Sequence, residues 1–210
     1  KISVTIKAVN WTIIPSILHI RKVVMKLSVR QIVISGLLGA ISIVLGVTRL
    51  GYITIPGALA LSITIMHIPA ILGAILEGPV VGLLIGLIFG ISSFMLAPTE
   101  IPPGNLWFSD PLVSILPRIF IGVIAAYVYL ALRKPNEWLA SGSAAVAGTL
   151  TNTILVVGAL ILRGYVPAAV IIPLVIPNAI AEIIVSVVVV VAVVAAWRGV
   201  AIGNNKGSTV

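Results

Sequence analysis

Two ionisable side chains, Arg118 and Glu182, lie deep inside long apolar stretches, where no nearby loop can carry them to water. A charge placed in hydrocarbon costs several kcal/mol, so such a residue faces protein or a water-filled cavity and marks a functional site by default. His67, Asn152 and Asn178 also lie within long apolar stretches. Asn178 and Glu182 are four apart, which puts them on one face of a helix. The stretch from Ala97 to Asp110 adds Asn105 and Trp107 among prolines, a composition suited to a stiff lid or to an interfacial loop anchored by its Trp. Donors, acceptors and one cation among apolar walls are what a pocket for a small polar molecule needs. The same residues read equally as structure: a buried Arg118–Glu182 pair, a packed His67, and asparagines bonding helix to helix. No phosphate-binding Gly-x-x-x-x-Gly-Lys-Ser/Thr loop, His-Glu-x-x-His or Gly-x-Ser-x-Gly occurs, so the expectation is a non-enzyme with no cofactor and no metal site.

The elements that must hold these residues follow from composition. The chain has 210 residues, 60% hydrophobic and 9% charged, with a mean hydropathy of +1.27, far from a soluble domain. Uninterrupted apolar length predicts an all-α polytopic membrane protein with six transmembrane helices at about 29–47, 63–76, 80–96, 111–132, 140–162 and 168–196. Breaks fall at Gly51, Glu77-Gly78-Pro79, Pro98 to Pro103, Pro135-Asn136 and Gly164 to Pro167. The second span is short and the sixth long; a start near Pro177, with a folded-in loop before it, would shorten the sixth. Residues 1–24 match no span and are expected to be a leader or interfacial segment, 25–199 the six-helix domain, and 200–210 a tail.

Thirteen Lys and Arg against five Asp and Glu do not point to nucleic acid, because the cations stand at span ends instead of on one aromatic-studded face. Arg21, Lys22, Lys26, Arg30, Arg133, Lys134, Arg198 and Lys206 fall on one side; Arg49, Arg163, Glu100 and Asp110 fall on the other. The basic side is expected to be cytoplasmic, with both termini on it. At ~1.5 Å per residue, Arg118 lies roughly 12 Å inside its span and the other polar residues reach a common layer. Small residues supply a second pattern, since helices in lipid associate by close backbone approach. Gly82, Gly86 and Gly90 form a seam on the third span, expected to pack within the bundle. Ser35-x-x-x-Gly39 and Gly36-x-x-x-Ala40 on the first span suit either internal packing or a partner subunit.

Three blocks, in order and with their spacing, carry a resemblance. They are Met66-His67-Ile68-Pro69-Ala70-Ile71-Leu72-Gly73-Ala74 continuing to Glu77-Gly78-Pro79-Val80-Val81-Gly82; Ser109-Asp110-Pro111-Leu112 continuing to Pro117-Arg118-Ile119; and Gly148-Thr149-Leu150-Thr151-Asn152-Thr153. They resemble the substrate-binding S components of energy-coupling factor (ECF) vitamin transporters, over Met25 to about Gly199. The resemblance implies a subunit of an ECF-type ABC importer in a prokaryotic plasma membrane. It would bind a water-soluble vitamin at the outer face and dock on a transmembrane coupling subunit joined to two cytoplasmic ATPases. In the family the pocket is lined by helices four to six under the first, third and fifth loops, which coincides with the polar layer located by depth; the substrate-binding candidates are His67, Asn105, Trp107, Arg118, Asn152, Asn178 and Glu182. Docking through small residues of the first helix implies Ser35, Gly36, Gly39 and Ala40, although the family's Ala-x-x-x-Ala identities are absent. Pantothenate and riboflavin are the expected cargoes; Thr64 to Pro69 departs from the riboflavin-type entry to helix two, and Arg118 suits a carboxylate. A gradient-driven transporter with Glu182 as coupling residue, and a structural subunit without ligand, are the competing readings.

Overall fold

Ser28 and Gln31 open the first helix by capping each other: Ser28 Oγ accepts from Gln31 N at 3.2 Å, and Gln31 Oε1 accepts from Ser28 N at 3.0 Å. This helix, α1 (Val29–Val47), begins where the apolar run begins. A computed structural model describes residues 27–54, 62–100, 102–134 and 136–206. The expected leader or interfacial segment lies outside the described residues.

After α1 the chain departs from the sequence expectation. Tyr52–Thr54 (β1) pairs antiparallel with Ser62–Thr64 (β2), Tyr52 opposite Thr64, so the beginning of the expected second span is a strand. The helix that follows, α2 (Ile68–Glu77), has only ten residues, about 15 Å of rise against a hydrocarbon core of about 30 Å. Two local causes act here. Thr64 and Ile65 continue a β-branched run that suits strand, and Pro69 fits the first turn of a helix but not its interior. At the other end Gly78 adopts φ 95°, a left-handed conformation open to glycine, and α3 (Pro79–Leu96) starts at once.

A short 3₁₀ turn (Ala97–Thr99) and α4 (Gly104–Phe108) lead to the fourth span, which is broken in two, α5 (Pro111–Ser114) and α6 (Leu116–Leu132). Pro117 lacks the N–H that would bond the carbonyl of Val113, four residues earlier, and the helix breaks here. Asn136 caps α7 (Glu137–Leu162), its side-chain oxygen accepting from Trp138 N and Leu139 N. The last helix, α8 (Ala168–Lys206), runs unbroken through Pro173 and Pro177. The expected start near Pro177 is therefore corrected, and residues 200–206 continue the helix.

Among the described residues, five helical segments are long and apolar enough to cross a membrane, with α2 a shorter apolar helix beside them. The elements form a multi-pass helical bundle. Its larger core runs through Ile71, Val81, Ile85, Ile121, Ala125, Ala144 and Val190. A smaller one, Val113, Leu160 and Ile171, lies near the ends of α5, α7 and α8. The Gly82–Gly86–Gly90 seam packs inside the bundle against α6: a Cβ on Gly86 would stand 2.2 Å from the Arg118 carbonyl oxygen, and one on Gly90 2.9 Å from Ile115 Cα.

The first-span seam divides. Ser35 and Gly39 are buried, and a Cβ on Gly39 would meet Ile88 Cδ1 at 2.7 Å, so these two face α3. Gly36 and Ala40 are exposed, with open space beside Gly36. Only the second pair is available to a partner, because residues four apart share a face while neighbours do not.

Ion pairs divide the bundle into two ends as the charge pattern predicts. Arg49 meets Glu100 at 3.3 Å and Arg163 meets Asp110 at 2.5 Å at the hairpin end; Arg30 meets Glu77 at 2.7 Å, and Arg198 meets Glu137, at the other.

Candidate functional site

Arg118 is the residue around which the hairpin end is organised, and the break at Pro117 positions it. The Val113 carbonyl that Pro117 leaves without a helical donor accepts from Arg118 Nη1, so the guanidinium completes its own helix and is fixed by it. Phe89 from α3 and Phe108 from α4 stand 5.5 and 5.1 Å from the guanidinium carbon, a cation–π clamp. The side chain is buried, yet no carboxylate pairs with it among the described residues, and its Nε–H has no partner there.

Glu182 does not neutralise it. Its Oε1 accepts from Thr64 N at 2.8 Å and Thr64 Oγ1 at 2.5 Å, tying the end of β2 to α8. The buried Arg118–Glu182 pair that the sequence leaves open is thus not formed, and the carboxylate serves a strand where apolar length predicts helix.

Between these groups is a cavity of about 180 Å³. Arg118, Asn152, Asn178 and Glu182 line it, with Phe89 and Phe108 among the apolar walls. The side-chain oxygens of Asn152 and Asn178 are buried without a partner. Unmet buried polar atoms are costly, and here the three side chains that carry them, one cation and two amides, line a single cavity. A guest carrying an anionic group and hydrogen-bond donors would satisfy all three.

Of the other sequence candidates, His67 is fully buried beside the cavity rather than in its wall. Its Nε2 lies 3.0 Å from both Thr149 Oγ1 and Ser186 Oγ, which joins α2, α7 and α8. Asn105 bends its side-chain oxygen back to Leu106 N at 2.8 Å. Trp107 packs against the smaller core, while its neighbour Phe108 takes the place at Arg118. These three therefore do not line the cavity. Tyr52, Thr64, Phe89 and Thr153 line it without having been singled out as candidates. The first two lie on strands read as a loop and a span; Phe89 had a signal in its place beside the Gly86–Gly90 seam.

The connections above the cavity are tied to one another. Tyr52 OH donates to Glu100 Oε1 at 3.2 Å, and Arg49 reaches both Glu100 and the Thr99 carbonyl, joining the first connection to the third. Burial, and then the Glu100 carboxylate, push the Tyr52 phenol up to about 12, so it remains a donor. Asp110 caps α5 through Leu112 N at 3.0 Å and holds Arg163 and Tyr165, joining the third connection to the fifth. The Leu112 N–H and the Arg163 guanidinium hold its carboxyl below the usual carboxylate range, and Asp110 in turn raises Arg163.

Fold and site define a class: a multi-pass helical membrane protein with a small cavity near one end, in which a few polar groups stand among apolar walls. A family model for the substrate-specific component of ECF transporters matches residues 30–194, and the chain belongs to that family. Among curated proteins it is similar to the pantothenic acid transporter PanT of Lactococcus lactis subsp. cremoris (strain MG1363), with 34% identity over 113 residues. The match covers 47% of this chain and 56% of that protein, so the chain spans little more than half the length of this relative.

Proposed function

We propose that this chain is the pantothenate-binding S component of an ECF importer in a prokaryotic plasma membrane. It captures the vitamin at the hairpin end, which faces outward with both termini cytoplasmic, and delivers it inward through a coupling subunit driven by two ATPases. The observation that carries this reading is the buried Arg118, which pairs with no carboxylate among the described residues because Glu182, in the same cavity wall, is held by Thr64, together with two amide oxygens that have no partner there. Pantothenate brings a carboxylate for the guanidinium and hydroxyl and amide N–H donors for Asn152 and Asn178. Riboflavin has no carboxylate to offer Arg118. The similarity to PanT supports the same cargo.

The test is a titration of the detergent-purified protein with pantothenate, riboflavin, thiamine, biotin and folate by calorimetry, without ATP. Tight binding of pantothenate alone, at one molecule per chain, is the expected result; binding of another vitamin in its place, or of none, overturns the assignment. In vesicles holding only this chain, a pantothenate gradient or a proton gradient should produce no accumulation, whereas uptake under either would favour gradient-driven transport.

Docking on the coupling subunit is assigned to the exposed face of α1 around Gly36 and Ala40. Gly36→Leu should leave pantothenate affinity unchanged, since nothing lies within 4 Å of a Cβ there, and should lower co-purification of the coupling subunit by about tenfold or more. Full assembly of the variant would move the docking face elsewhere on the protein.

A further inference from the structure

At the end of the bundle opposite the hairpin lies a second cavity, about 200 Å³, bordered by Arg30 of α1, Leu76 of α2, Tyr129 of α6, and Trp197 and Arg198 of α8. We infer that this cavity binds the phosphodiester headgroup of an anionic phospholipid, with both guanidiniums on the phosphate and Trp197 at the headgroup boundary.

Two carboxylates stand beside these arginines, and their placement decides the sign of the site. The Glu77 side chain is 9% exposed and that of Glu137 31%, while those of Arg30 and Arg198 are 63% and 52% exposed. The acids thus lie beneath and the cations outside. Glu77 takes Arg30 by its Nε, and Glu137 with the Tyr129 hydroxyl takes Arg198 by Nη2, so each guanidinium is steadied at one edge. Their remaining N–H groups have no partner among the described residues, and a guanidinium offers five. Such a fork suits the paired oxygens of a phosphate.

The surroundings match a membrane surface. Arg133 and Lys134 are exposed at the same end, giving four cations against two carboxylates among the described side chains there. Trp138 and Trp197, 52% and 45% exposed, stand beside them, and such rings collect at the headgroup level. Basic pockets between membrane helices at the cytoplasmic surface take anionic headgroups. This site shares no residue with the vitamin cavity, and its assignment does not depend on the cargo.

The experiment is native mass spectrometry of the whole chain in detergent with equimolar phosphatidylglycerol and phosphatidylcholine. Retention of phosphatidylglycerol over phosphatidylcholine by roughly tenfold is expected. Arg30→Gln with Arg198→Gln should erase that preference, whereas Arg133→Gln with Lys134→Gln, which removes equal charge outside the cavity, should keep most of it. Equal retention of the two lipids by the unaltered protein overturns the site, as does a control pair that loses the preference fully. Displacement of the lipid by millimolar inorganic phosphate would mark a site for a soluble anion and overturn the lipid assignment. Should the first pair fail to fold, the unaltered protein and the control pair decide between them.

Discussion

On the proposed assignment, Arg118→Ala should lower pantothenate affinity by at least about 30-fold while the bundle remains folded. The magnitude follows from the role given to the residue: truncating one partner of a buried, hydrogen-bonded charge pair costs about 2–5 kcal/mol, and each ~1.4 kcal/mol is tenfold in Kd. Folding is affected in two opposed ways. The Val113 carbonyl loses its donor and the two phenyl rings lose their cation, a loss of about 1–3 kcal/mol for an unmet buried acceptor. Against that, a buried guanidinium without a carboxylate no longer has to be kept from water. The unliganded melting temperature should therefore move little compared with affinity. Arg118→Lys should recover only part of the binding, because an ammonium is a point charge and cannot serve the Val113 carbonyl, the rings and a ligand carboxylate in one plane. Calorimetric titration and thermal unfolding of the same preparations separate the two effects. Unchanged affinity in Arg118→Ala would remove the carboxylate from the guanidinium and with it the reason for choosing pantothenate.

That residue also shows how far the sequence could be read. A charge in an apolar span is visible because hydrocarbon makes it expensive, so Arg118 and Glu182 stand out unaided. What each one bonds to was not visible. Arg118 spends one donor on the Val113 carbonyl that Pro117 frees, and the spacing of four between those positions is a signal present in the chain but easily passed over. Glu182 bonds Thr64, and that partner was hidden because a short β-branched run entering an apolar helix reads as the helix itself. The same ambiguity concealed Tyr52 and the strand pair. His67 is indistinguishable by type from a ligand-binding histidine; only its fit between Thr149 and Ser186 places it outside the cavity. Length cannot tell whether Pro173 and Pro177 interrupt a helix, since neighbouring groups inside a bundle can satisfy the carbonyls that they leave. The grouping of basic residues and the glycine seam of α3 were legible because both depend on composition at fixed spacing and on no distant partner.

On the proposed assignment, Gly86→Ala should destabilise the protein and weaken pantothenate binding together. The added Cβ would stand 2.2 Å from the carbonyl oxygen of Arg118 and 3.0 Å from its carbonyl carbon. These are backbone atoms, which cannot rotate aside, so α3 and α6 must separate by whole-helix movement. Overpacking a well-filled interior costs about 1–3 kcal/mol, and a backbone-to-backbone clash lies at or above the top of that range. For a chain of this size about 3 kcal/mol lowers Tm by roughly 6–12 °C. The displaced segment is the one that carries the guanidinium, and Phe89, three residues along α3, is half of its aromatic clamp. Binding therefore falls even in the fraction that stays folded. Two other glycines of the bundle isolate the cause. On Gly82 a Cβ would meet Ala74 Cβ at 2.6 Å and Gly122 Cα at 2.9 Å, one turn further from the site. Gly82→Ala should thus lower Tm comparably while the folded protein keeps most of its affinity. Gly36→Ala has open space and should hold or raise stability through helix propensity, by up to about 1 kcal/mol. Thermal unfolding, with ligand bound per folded molecule measured alongside, ranks the three. If Gly86→Ala matched Gly36→Ala in both readings, the close approach of α3 to α6 would not be what positions Arg118, and the cavity would owe its shape to the connections above it.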